Sequence, residues 1–220
     1  MEHKQSIIPA AIRFAEEVFE SDHSGHDFFH TMRVYKTARR IAQEEGANVL
    51  TVQLAALLHD VDDAKLSPQT TAHKDRAVRF LETHGVASTE IETICKIIGE
   101  VSFSANGDAA PSTLEGKCVQ DADRLDALGA IGIARTFAYG GSHGRAMFDP
   151  TGQNAASSVN HFYEKLFRLK ALMNTASAKK EAERRDQYMR AFIAEFMAEW
   201  DDQPVSTPEA SASPGEPPRP

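Results

Sequence analysis

From Ile8 to Trp200 the apolar residues of this chain recur three and four positions apart, the spacing that lines one face of an α-helix. Ile8, Ile12, Ala15 and Phe19 set the pattern, and Val159, Phe162, Leu166, Leu169 and Met173 repeat it. Strand-like alternation bounded by turn pairs is scarce, so the fold class is all-α. A second helix is expected from about Phe28 to Gly46 and a third from Val49 to His59, whose VQLAALLH is apolar nearly all round and therefore central. Further helices are expected over Ala72–His84, closed by Gly85, from Thr89, where Thr89 and Glu92 offer a capping box, and over Glu115–Phe137. Met189, Phe192, Phe196 and Trp200 continue the period on a last helix that should pack as a hairpin against 159–173.

The 220 residues, 41% of them hydrophobic, suffice for one core, assigned to a single domain over 1–200. After Trp200 the run DDQPVSTPEASASPGEPPRP offers too little apolar surface to offset the entropy of ordering, so 201–220 is expected to be a disordered Pro-rich C-terminal tail. A formal charge of −8 argues against a partner recognised through its phosphate backbone, so no nucleic acid is expected. Cys95 and Cys118 lack paired spacing and read as reduced thiols. No apolar run approaches the roughly 18 residues of a membrane span, so the chain is expected to be cytoplasmic and off the membrane. Gly107–Thr113 and Tyr139–Gln153 stand out as long loops of the kind that carry function.

Three stretches concentrate polar residues beside apolar ones. GHDFFHTMRV places His26 and His30 four apart, which is ligand spacing on a helix but also what chance yields in a chain with nine histidines. LAALLHDVDDAKL ends its core run abruptly at His59 and Asp60. Neighbouring helical residues point about 100° apart, so one ion bound by both must lie in the angle between them. Alone, this doublet reads more readily as a histidine on a backbone carbonyl and an aspartate in a solvated turn with Asp62 and Asp63. QDADRLDALGAIG puts Asp123 and Asp126 on one helical face among Ala122, Leu125, Ala127 and Leu128, so partial burial creates a need for cationic partners.

The order His30, His59-Asp60, Asp123 resembles the HD-domain metal-dependent phosphohydrolases, an all-helical superfamily. GHDFFHTMRV, LAALLHDVDDAKL, DADRLDALGAIGIARTFAYGG and HFYEKLFRLKALMNT are similar to its small bacterial and yeast subgroup, some of which act on nucleotides. The likeness spans about residues 5 to 200 and implies an HD-domain helical bundle. It implies His30, His59, Asp60 and Asp123 as metal ligands, His26 as a pocket residue, and Asp63 acting on the nucleophilic water. His73 and His84 are the sole candidates for a second metal and sit in no matching motif, so one divalent metal ion is expected.

Two imidazoles and two carboxylates suit Mn²⁺, Fe²⁺, Ni²⁺ or Co²⁺ and tolerate Mg²⁺ or Zn²⁺. Arg33, Lys65 and Arg124 adjoin the ligand motifs and are candidates to bind substrate phosphate, as are His143 and Arg145. Phe103, Phe137 and Phe148 are available to stack on a base, although core packing is the commoner fate of such residues. The expected partner is a small phosphorylated molecule, foremost a nucleotide, with room left for an oligomer. A noncatalytic metal- or nucleotide-binding sensor and a di-iron oxygenase are the competing classes.

Overall fold

The computed structural model describes residues 2–20, 27–63, 69–70, 72–101, 107–151 and 156–202. Helices α1 (Glu2–Phe19), α2 (Phe28–Glu45), α3 (Val49–Leu58), α4 (Asp75–Thr83), α5 (Ser88–Val101), α6 (Leu114–Asp126) and α7 (Gly129–Ser142) follow in order. α8 (Ser158–His161) then runs on through a π-helical turn (Phe162–Leu166), a short α segment (Phe167–Leu169) and a 3-10 turn (Lys170–Leu172), and α9 (Ala176–Trp200) ends the bundle. No strand occurs among the described residues, as the helical period requires. Nor is any described helix long and apolar enough to cross a membrane.

α3 is the central rod. Val52 and the run Leu54–Leu58 are buried on all sides by α1, α2, α5 and α6, which explains a sequence with no polar face. Asn48 caps its first turn by accepting from the Thr51 amide, and after Gln53 polar residues resume only at His59. α2 begins where the Asp27 carboxylate accepts from the His30 amide at 2.7 Å and ends at Gly46, whose φ of +74° favours a residue without a Cβ. The aromatic residues of α9 pack against 158–172, with Phe162 stacked on Phe192 and the Arg190 guanidinium over Phe167, so the expected hairpin forms. Phe137 lies against Phe162, Phe192 and Phe196, and Phe148 against Phe196 and Trp200, which makes both packing residues. Burial pushes the Cys118 thiol up to about 12, the mark of an inert core cysteine.

Several boundaries differ from the sequence reading. The buried stripe of α1 is Ile7, Ala11, Ala15 and Phe19, with Ile8 and Ile12 only partly covered, a rotation of one position that apolar neighbours at 7 and 8 leave ambiguous. α4 starts at Asp75, not Ala72. The single helix expected over Glu115–Phe137 is two, because Leu128 is extended (φ −114°, ψ 159°) and Gly129 takes φ +73°. A Cβ at Gly132 would run into the Ala127 carbonyl, so the glycines of ALGAIG permit a tight reversal. The loop expected from Tyr139 starts only after Ser142, with the His143 ring stacked on Tyr139 at 3.9 Å and Arg145 over the same ring. The chain over 159–173 is irregular rather than one α-helix. His26, Lys65, Phe103 and the tail beyond Asp202 lie outside the described residues.

Candidate metal centre

The C-terminal end of α3, the first turn of α2 and the last turn of α6 meet at one point. His59 and Asp60 leave α3, His30 stands on α2, and Asp123 projects from α6. One ligand atom from each of His30, His59 and Asp60 lies within 4.8 Å of the other two. Asp60 Oδ2 is 3.1 Å from His59 Nε2 and 3.6 Å from His30 Nε2, while Asp123 Oδ1 is 3.4 Å from His30 Nε2. Asp123 thus joins the compact trio through His30. Donors bonded at about 2.1 Å to one ion stand roughly 3 to 4 Å apart, which matches these separations.

The imidazole hydrogen bonds carry more information than the distances. His59 Nδ1 lies 2.8 Å from the Ala56 carbonyl, which only accepts, so Nδ1 holds the proton and Nε2 turns its lone pair to the cluster. His30 Nδ1 lies 2.8 Å from Asp126 Oδ2, and the same logic aims its Nε2 at Asp60 and Asp123. His59 Nε2 is buried and lies 3.1 Å from Asp60 Oδ2. Two imidazole nitrogens and two carboxylates gathered this closely are a mixed nitrogen and oxygen donor set, so the residues fit a divalent metal.

Without such an ion, protons substitute. Burial opposes charge on His59, but the carboxylates of Asp60 and Asp123 outweigh it and push the imidazole up to about 9. His30 is raised in the same way, burial being overcome by Asp123 and Asp126. Asp123 is held below the usual carboxylate range, its desolvation overcome by His30 and His59. The side chains of His30 and His59 are almost wholly covered, whereas Asp123 is 28% exposed and opens the cluster to solvent.

Other residues singled out in the sequence are distributed differently. Arg33 makes a two-point ion pair with Asp126, Nε to Oδ1 at 2.7 Å and Nη2 to Oδ2 at 3.0 Å, with its side chain 35% exposed. Asp63 is half-buried in the turn after Asp60, its amide donating to the Asp60 carbonyl. Arg124 is drawn inside, donating to the carbonyls of Leu172 at 2.5 Å and Gly107 at 3.3 Å. With Gln120 donating to the Ala109 carbonyl and Glu100 accepting from Ser112, it pins the loop 107–113 to the bundle. His84 bonds the Phe80 carbonyl at the end of α4. A cavity of about 600 Å³ between α1 and α4 touches none of the cluster residues.

The sequence reading assigned no role to Asp126 or Arg135. Arg135 Nη1 lies 2.6 Å from Asp126 Oδ2, reached because the reversal at Gly129 returns α7 to the end of α6. The available signals were the lone cation in the apolar run GIARTF and the glycines before it.

Comparison with known proteins places the fold. A family model for the HD domain matches residues 27–128, from the cap of α2 to the end of the α6 turn. The uncharacterized protein YpgQ of Bacillus subtilis is 37% identical over 185 residues, covering 83% of this chain and 88% of YpgQ. Among solved structures, an HD-superfamily hydrolase from Bacillus thuringiensis superposes with a TM-score of 0.78 at 49% identity, covering 91% of this chain and all of that one. B. subtilis YpgQ in complex with ADP superposes with a TM-score of 0.77 at 30% identity, covering 96% of this chain and 100% of YpgQ. The chain belongs to the HD-domain family, with the fold of its hydrolases.

Proposed function

We propose that this protein is a metal-dependent phosphohydrolase of a small phosphorylated substrate, foremost a nucleotide, with His30, His59, Asp60 and Asp123 holding one divalent ion. The observation that carries the reading is the aim of the two imidazoles: each is held through Nδ1, so that both Nε2 atoms face the carboxylates. The ADP complex of YpgQ supports a nucleotide as substrate.

A bound divalent ion would supply Lewis-acid polarisation of the phosphoryl group and acidify the attacking water. Asp60 and Asp123 cancel its charge, so an anionic substrate meets no net repulsion. Asp63, three residues beyond Asp60, is proposed to take the proton of the attacking water. Arg33 retains N–H donors beyond its pair with Asp126 and a partly exposed side chain, which suits it to a phosphoryl oxygen. His26 and Lys65 complete the proposed substrate set on the strength of the sequence resemblance.

A screen of phosphate and pyrophosphate release over nucleotides and sugar phosphates, with Mn²⁺, Mg²⁺, Co²⁺ and Ni²⁺, tests the reading. Release that vanishes in Asp60→Ala and falls sharply in Asp63→Ala is expected. Tight Mn²⁺ and ADP binding with no release from any substrate would leave the noncatalytic sensor in its place.

A further inference from the structure

Asp126 is 5% exposed, and its two oxygens receive His30 Nδ1 at 2.8 Å, Arg33 Nε at 2.7 Å and Nη2 at 3.0 Å, and Arg135 Nη1 at 2.6 Å. A carboxylate has about four lone-pair sites, so this one is filled. Arg33 comes from α2, Arg135 from α7 and Asp126 from the end of α6, so three elements lock one acceptor behind His30. Arg135 Nη1 also approaches His30 Nδ1 at 3.4 Å, a donor facing the same atom. The shorter carboxylate contact prevails and keeps the proton on Nδ1.

We propose that Asp126 is a positioning residue for the metal centre: fixed by Arg33 and Arg135, it dictates the tautomer and aim of His30 and so sets the affinity of the site for a divalent ion. The proposal rests on His30 being a ligand, as in the reading above. A carboxylate behind a ligating histidine orients the ring and raises its basicity, and its loss usually costs 10- to 100-fold in metal affinity. The arginines matter because they hold the carboxylate charged and immobile. Arg135 acts through Asp126.

Calorimetric titration of Mn²⁺ into metal-free protein, with no substrate present, is the test. Asp126→Asn is isosteric and should raise the Mn²⁺ dissociation constant about 10- to 100-fold. In the Zn²⁺-loaded protein it should also move the far-downfield His30 Nδ1–H resonance upfield, a signature that a change in folding stability alone would not produce. Arg135→Gln should weaken Mn²⁺ binding less in the wild-type background and add nothing in Asp126→Asn. A dissociation constant for Asp126→Asn within about threefold of wild type, or additive effects of the two substitutions, overturns the proposal. If Asp126→Asn does not fold, Arg135→Gln alone decides, since an unmoved His30 Nδ1–H resonance in that variant overturns it too. Wild-type protein that binds no Mn²⁺ sinks the ligand assignment and this inference together. Normal Mn²⁺ binding without hydrolysis of any substrate sinks the proposed activity and leaves Asp126 to be judged on the titration.

Discussion

Asp121 and Asp123 stand two residues apart on α6, and Asp60 and Asp62 two apart beyond α3, yet within each pair the carboxylates have opposite fates. Asp121 is fully buried and accepts from the amide and side chain of Asn174 and from the amide and hydroxyl of Thr175, all at 2.7–2.8 Å. Those four bonds tie α6 to the cap of α9 and fill the carboxylate. Asp62 accepts from the amides of Arg76 and Ala77 at the first turn of α4. Asp60 and Asp123 instead approach imidazole nitrogens. An aspartate whose lone pairs are consumed by backbone and hydroxyl donors has no capacity for a ligand, so the two kinds should separate cleanly when mutated.

Asp60→Ala should produce the largest effect, a fall in phosphate release on the order of 10³-fold or more, because Lewis-acid stabilisation is worth several kcal/mol. Without metal its stability should fall only by the lost Asp60–His59 ion pair, a loss present at pH 6.5 that fades as pH climbs through about 9, and a stability loss independent of pH would blur the comparison. Asp121→Ala should do the reverse. Leaving buried donors at Asn174 and Thr175 without a partner should cost about 3 kcal/mol in urea unfolding, with Mn²⁺ affinity unaltered.

The pH dependence sharpens the contrast, since only the imidazole-facing carboxylates are linked to a group that titrates near neutrality. His59 rises from 6.5 to about 9 on folding without metal, so its ion pair stabilises fully below pH 6.5 and the contribution is lost as pH climbs through about 9. The metal competes for the same lone pair, so Mn²⁺ affinity should increase across that window, by about tenfold per pH unit for one displaced proton. Titrations at pH 6.5, 7.5 and 8.5 measure this, and a flat profile would detach His59 from the site. The smallest effect belongs to Asp62→Ala, which removes a helix-start acceptor from α4 and should cost about 1–2 kcal/mol by denaturant unfolding.

The run DADRLD shows how far the reading of residues reached. Periodicity placed Asp123 and Asp126 on one face, and the resemblance assigned Asp123 to the metal. Neither marked Asp126 as the carboxylate against His30 Nδ1, because its other contacts come from Arg33 and Arg135, 93 and nine positions away. Arg124 illustrates the opposite limit. Adjoining the motif around Asp123 it reads as a phosphate binder, but the carbonyls of Leu172 and Gly107, supplied by remote turns, take its Nη1 and Nη2 donors. The split between α6 and α7 was missed because the glycine signal in ALGAIG lies inside an otherwise continuous helical period.

By itself the sequence determined the helical class, the central place of the VQLAALLH rod and the set of polar residues from which the site is drawn, since these follow from side-chain spacing and hydrophobicity within a few turns. Tertiary structure decided which carboxylates are saturated and which face histidine, and how each imidazole is aimed. Those outcomes depend on hydrogen-bond partners from helices that meet only when the core closes. A carboxylate's role follows from the donors around it, and local spacing does not encode them.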